Sequence, residues 1–374
     1  MLFSEIIGQE EVKNKLRSFV ETGRIPHAIL LHGKEGTGKL PLCIAFAQYL
    51  CCQHKTNGDA CGKCPSCQQI AKLSHPDLHF VFPFSKGKAA TCDALMETWR
   101  ENFIGHKGYF TFDQWSNLLG DKQLTIYTSE GSEILRKLSL KSYAADFRIM
   151  IIWQPEKMQT ECANRILKTL EEPGERTIFL LVSEHPELML TTILSRTQQI
   201  AVPVIGDEEL KRQLTTEFNV ESDSEADELV RISGGSYTAL LENIENENTN
   251  NENFELFVHI MRLTYKRSIA EIREWTELVC KKGRPEQLQF LQYAQKMIRE
   301  SFMYNFHQKE LNYLTQKESQ FLVRFAPFIH ETNVYGLMDE LTLAEQHIAQ
   351  NVNSKMVFFD LACRIMILIK KKRE

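Results

Sequence analysis

No stretch of this 374-residue chain approaches the ~18–20 consecutive apolar residues that a helix needs to cross a bilayer, so no membrane association is expected. Positive charge is not in excess either. The chain has 44 lysines and arginines against 49 aspartates and glutamates, a formal charge of −5, which argues against a protein that coats nucleic acid with a basic surface. The opening residues Met1-Leu2-Phe3-Ser4-Glu5 lack a basic region followed by an apolar one, and the expected compartment is the cytoplasm. There is no internal repeat and no coiled-coil heptad. What is present, 43% hydrophobic and 25% charged residues, is the composition of globular domains, in a chain too long for one ordinary core. Three domains are expected.

Val12, Leu16, Phe19 and Val20 have helical spacing up to a break at Gly23-Arg24-Ile25-Pro26. Ala28-Ile29-Leu30-Leu31-His32 then reads as a strand, followed by a glycine loop and a helical pattern from Pro41 to Leu50. Further strands are expected at 148–152, 177–182 and 199–202, with Met158, Cys162, Ile166, Leu167 and Leu170 on one face of a helix between the first two. Continuous apolar strands alternating with amphipathic helices imply a parallel sheet covered on both faces, here an α/β domain over 1–203. Residues 204–244 read as a small helical unit interrupted by Gly234-Gly235, and the Asn/Glu-rich run 245–253 as a linker that cannot bury enough apolar surface to pack. With few glycines and prolines, 254–374 is expected to be an all-helical third domain, ending in a solvated Lys370-Lys371-Lys372-Arg373 tail. The segment from about 82 to 122, with Pro83, Gly105, Gly108 and several aromatics but no clear period, reads as an insertion on the sheet domain.

Gly33-Lys34-Glu35-Gly36-Thr37-Gly38-Lys39-Leu40 matches the phosphate loop G-x-x-x-x-G-K, with Leu where Ser or Thr should stand. Gly33, Gly36 and Gly38 would let backbone amides approach the phosphates of ATP or ADP, and Lys39 would reach the outer ones. The hydroxyl that helps hold Mg²⁺ is missing at Leu40. A working site also needs an acidic residue at the end of a neighbouring strand, and there the chain has Trp153-Gln154, which pack or cap but cannot direct water or metal. Glu156 lies too far along to substitute. The chain's own ATPase is therefore expected to be inactive.

Ten cysteines invite a disulfide reading, but four fall at metal-ligand spacing. Cys52, Cys61, Cys64 and Cys67 form C-x8-C-x2-C-x2-C, with Cys51 as a competing first ligand. Four thiolates around one tetrahedral Zn²⁺ leave no position for water, which makes a structural site; an iron–sulfur cluster uses the same ligands, and four buried free thiols are the plain alternative. Cys43, Cys92, Cys162, Cys280 and Cys363 are scattered and read as small core residues.

Taken together, these features resemble the delta-prime-type subunits of bacterial DNA polymerase III clamp loaders, a branch of the AAA+ family related to gamma/tau and to replication factor C subunits. The resemblance is carried by Ile25-Pro26-His27-Ala28 leading into the loop, by the four-cysteine insertion, by His75-Pro76-Asp77, and by Asn164-Arg165-Ile166-Leu167-Lys168-Thr169-Leu170-Glu171-Glu172-Pro173. It is specific from Ile7 to about Val202 and weak beyond. It implies an AAA+ sheet domain with a zinc module at 52–67, a helical lid domain and a C-terminal collar for oligomerisation, and it favours Cys52 as first ligand. Ser195-Arg196-Thr197 stands where the family has Ser-Arg-Cys, so Arg196 is the expected arginine finger, acting in trans on a neighbour's ATP. The lid motif after Gly234-Gly235 lacks the arginine of active members, and the 82–122 segment has no counterpart.

The resemblance implies a largely non-hydrolysing stator of a polymerase holoenzyme, working with gamma/tau and delta subunits, the sliding clamp and primed DNA. An active gamma/tau-like motor is disfavoured by Leu40, Trp153 and Gln154. A zinc-dependent nucleic-acid scaffold is disfavoured by the sparse basic residues Lys55, Lys63 and Lys72 and by few aromatics near the cysteines.

Overall fold

The computed structural model describes residues 1–139, 146–174, 176–218, 223–245, 247–305 and 314–370; residues 371–373 of the basic tail lie outside them. The chain divides into two compact units, Met1–Leu240 and Leu241–Glu374.

Among the described residues the first unit has five strands: β1 (Ala28–His32), β2 (Leu78–Val81), β3 (Arg148–Trp153), β4 (Thr177–Ser183) and β5 (Gln198–Ala201). They lie in the order β2-β3-β4-β1-β5, and every pair is parallel. Ala28 stands opposite Phe179 and Ile149 opposite Leu78, so the apolar runs sit side by side with both faces covered. β2 was not anticipated, because four residues containing His79 make no visible run. The helix Lys39–Cys51 is buried along its whole length behind the glycine loop. Pro41 is tolerated there because the amides of a first helical turn have no intrahelical partner.

The 82–122 segment folds as two helices, Met96–Gly105 and Phe112–Leu119, joined by a loop at Gly108-Tyr109-Phe110. Its aromatic residues supply the missing order. Trp99 stacks on Phe82 with ring centres 4.2 Å apart and meets Trp115 edge-on at 5.1 Å, while the Trp115 indole donates to the Pro83 carbonyl at 2.8 Å.

Two boundary expectations differ from the structure. The helices Asp207–Phe218 and Asp223–Ser233 belong to the same compact unit as the sheet, so the division is into two units where three domains were expected. The expected linker is also largely helical, within a helix spanning Glu247–Lys266. Asn253 is buried there, Glu252 pairs with Lys282 at 2.5 Å, and Phe254 meets Phe321 edge-on at 5.8 Å. The polar run is the first part of an amphipathic helix. Among its described residues the second unit is helical, with Phe257, Trp275, Phe290, Leu337 and Phe358 in its core.

Candidate functional site

β1 ends at His32, and the glycine loop turns the chain into the Lys39–Cys51 helix outside the carboxyl ends of the strands, where open parallel sheets place ligands. Gly33, Gly36, Gly38 and Lys39 all lie in this turn. The surroundings are crowded. A Cβ at Gly36 would fall 2.1 Å from the Ser236 hydroxyl and 2.3 Å from that of Thr238, while one at Gly38 would lie 3.1 Å from the Tyr109 hydroxyl. The loop is also tied to the chain around it. The Tyr237 amide donates to the Gly36 carbonyl at 3.0 Å, Lys34 Nζ donates to the Gly234 carbonyl at 2.9 Å, and Gln9 Nε2 donates to the carbonyls of Thr37 at 3.2 Å and Pro203 at 2.7 Å.

Lys39 does not extend outward. Its ammonium donates to the carbonyls of Gly33 at 2.9 Å and Lys34 at 2.5 Å, with the Glu184 carboxylate 3.9 Å away. The side chain is buried, and burial lowers its pKa against the opposing pull of Glu184, Glu35 and Glu156. Glu184 is the acidic group beside Lys39 that sequence pattern did not single out; its one signal is its place directly after the apolar strand β4.

Neither end-of-strand position on β3 offers a carboxylate. Trp153 is buried between Trp99, Phe110 and Phe112, with ring centres 5.1, 5.2 and 6.3 Å away. Gln154 adopts a left-handed conformation (φ 57°), its amide donates to the Val182 carbonyl at 2.8 Å, and its buried Nε2 has no partner among the described residues. Glu156 instead accepts from the amides of Glu184 at 3.0 Å and His185 at 3.2 Å, closing the exit of β4. Leu40 is buried. The pocket bounded by Gly36, Gly38, Lys39, Tyr109, Trp153 and Glu184 holds about 20 Å³, room for about one water, against the ~300–1,000 Å³ typical of a cofactor site.

The four expected cysteines do converge. The sulfurs of Cys52, Cys61, Cys64 and Cys67 all lie within 4.8 Å of one another, with Cys61 and Cys67 at 3.9 Å. A tetrahedron of ~2.3 Å Zn–S bonds has sulfurs about 3.8 Å apart, so the set fits one Zn²⁺ with slight contraction. The amides of Cys61 and Cys64 donate to the sulfurs of Cys52 at 3.2 Å and Cys61 at 3.3 Å, the outer hydrogen bonding that supports bound thiolates. The amides of Lys63 and Cys64 hold the Cys61 thiol down to about 6, whereas burial pushes Cys67 upward. Cys51 packs in the apolar core, its thiol pushed up to about 12 by burial, and is not in the cluster. Lys55, one of the flanking basic residues, is turned onto the Cys52 carbonyl at 3.0 Å.

Arg196 lies between the short helix Thr191–Leu194 and the start of β5, at the opposite end of the parallel β1–β5 pair from the loop that follows His32, and is partly exposed. It donates to the Thr192 carbonyl at 2.9 Å and the Ser195 hydroxyl at 3.2 Å and is paired with Glu171, the residue that ends the helix Thr160–Glu171. Its partners among the described residues, Thr192, Ser195 and Glu171, all lie away from the loop that carries Lys39.

The family described as DNA polymerase III, delta subunit matches residues 8–205. The DNA polymerase III subunit delta' of Bacillus subtilis is 30% identical over 193 residues, covering 51% of this chain and 46% of that protein. The subunit delta' of Pseudomonas aeruginosa is 30% identical over 210 residues, covering 56% and 53%. The chain thus spans about half the length of the curated relatives it matches. Among solved structures, a gamma subunit-related protein from Thermotoga maritima aligns over 96% of this chain and 99% of its own at 12% identity, with a TM-score of 0.45.

Proposed function

The chain belongs to the DNA polymerase III delta-subunit family, and from that premise we propose that it is a largely non-hydrolysing clamp-loader subunit of the delta-prime type. In this reading it assembles in the cytoplasm with gamma/tau and delta subunits, through the helices of 254–374 acting as a collar. Arg196 completes the ATP site of a gamma/tau neighbour, and the assembly loads the sliding clamp onto primed DNA during replication. The protein is then a component of a DNA-directed DNA polymerase holoenzyme whose own ATPase is silent.

The observation that carries this reading is the contrast between the two halves of the ATPase machinery. At the loop, buried Leu40 stands where a hydroxyl is needed, and Trp153 and Gln154 stand in place of carboxylates, so the metal and the attacking water have nothing to organise them. Arg196, by contrast, is a partly exposed guanidinium whose partner Glu171 is half exposed. An ion pair of that kind is worth ~0–1 kcal/mol, so exchanging Glu171 for a phosphoryl group costs little.

Cys52, Cys61, Cys64 and Cys67 would hold a structural Zn²⁺. When bound, the metal supplies positive charge that keeps all four sulfurs as thiolates. The chain's part is to orient them by the two amide donors and to fix the turn that carries them.

The test is a reconstituted loader carrying Arg196→Ala. Clamp-stimulated ATP turnover at the completed site is expected to fall ~10³–10⁵-fold. Unchanged turnover would leave the chain an architectural role only. ATP turnover by the isolated chain that Lys39→Ala abolishes would instead make it a motor.

A further inference from the structure

We propose that the 82–122 insertion delivers a permanent internal occupant to the phosphate-loop cleft: Tyr109, held in the space a nucleotide would need and bridging the loop to the helices of 207–240. The inference concerns this chain's own cleft and stands whether or not Arg196 acts on a neighbour.

Tyr109 is buried, and its hydroxyl accepts from the Ile7 amide at 3.2 Å while lying against Gly38. Its ring meets that of Tyr237 edge-on, centres 4.9 Å apart, at the start of the helix Tyr237–Glu245. The Tyr237 hydroxyl donates to Glu217 at 2.8 Å, and Lys107, two residues before Tyr109, pairs with the same carboxylate at 2.7 Å. One short loop of the insertion thus touches the N-terminal segment, the phosphate loop and both Asp207–Phe218 and Tyr237–Glu245.

The loop is anchored on each side. Gly108 holds φ at +76°, and a Cβ there would fall 2.6 Å from the Phe103 ring. Phe110 is buried against Trp99 at 5.3 Å and Trp153 at 5.2 Å. Trp153 therefore has a positive role: at the position of the lost carboxylate it forms one wall of the socket that seats the insertion. Lys39 donates its ammonium to the loop's own carbonyls at Gly33 and Lys34.

The experiment titrates the full-length chain with ADP and with inorganic pyrophosphate by calorimetry, comparing wild type, Tyr109→Phe and Tyr109→Ala. Circular dichroism and metal content verify the fold. Wild type and Tyr109→Phe, which keeps the ring, are expected to be silent, whereas Tyr109→Ala gains at least ~10-fold in affinity for one of the two probes, ~1.4 kcal/mol. If Tyr109→Ala does not fold, Tyr109→Leu carries the same comparison with a shorter apolar side chain. Binding by wild type that is unchanged in the variant overturns the proposal. Silence of every variant does so too, since Tyr109 would then not be the excluding group.

Discussion

Three glycines of the insertion separate two physical costs, and alanine at each gives a graded prediction. Gly105 ends the helix Met96–Gly105 without a positive φ, and a Cβ there would meet nothing within 4 Å. Gly120 caps the helix Phe112–Leu119 at φ +64°, also in open space. Gly108 combines φ +76° with the 2.6 Å approach to Phe103. Gly105→Ala removes unfolded-state freedom at no native cost and should stabilise by ~0.4–1 kcal/mol. Gly120→Ala adds left-handed strain alone and should cost ~1–2 kcal/mol. Gly108→Ala adds to that same strain an overpacking cost of ~1–3 kcal/mol, because Phe103 is itself buried and cannot swing clear, for ~2–5 kcal/mol in all. Urea unfolding followed by tryptophan fluorescence measures all three, since Trp99, Trp115 and Trp153 are three of the chain's 4 tryptophans and surround this segment. At a slope of ~2 kcal/mol per M, the Gly108→Ala midpoint should drop by ~1–2.5 M. Equal losses for Gly108→Ala and Gly120→Ala would refute the reasoning, because the Phe103 contact would then contribute nothing.

Metal analysis of the purified chain should find one zinc per molecule and no iron; stripping it, or Cys64→Ser, should lower the melting temperature, and an unchanged melting curve would remove the structural site. His79, pushed down to about 4 from 6.5 chiefly by burial and then by Lys137, remains neutral in the folded chain over a range where the unfolded chain binds a proton. Stability should therefore decline as pH falls from about 6.5 toward 4, with a shallower decline in His79→Asn; identical pH profiles would contradict the burial argument.

Where the determinants are local, the sequence was readable. The apolar runs of β1, β3 and β4 announce buried parallel strands, and β5 is found within a residue. The cysteine spacing brings four sulfurs together because a short loop cannot carry them far apart. The insertion was opaque for the opposite reason. Its order comes from contacts between residues distant in sequence, Phe82 with Trp99 and Phe110 with Trp153, which leave no period to read. The Asn/Glu run misled because composition measures whether a segment can fold alone, whereas Asn253 and Phe254 continue a helix already anchored by Phe257. Lys39 shows a third limit: a motif fixes where a side chain starts, and the neighbouring carbonyls decide where it ends.

The Trp153 socket also couples two positions that are far apart in sequence, 109 and 153. Trp153→Asp would place a carboxylate among Trp99, Phe110 and Phe112, where burying an unpaired charge costs several kcal/mol, while Tyr109 still stood on Gly38. Removing Tyr109 first would open a cavity beside a site that still lacks its acid and its hydroxyl. Neither single change restores the hydroxyl missing at Leu40, so an aspartate at 153 and a smaller residue at 109 are useful only in combination.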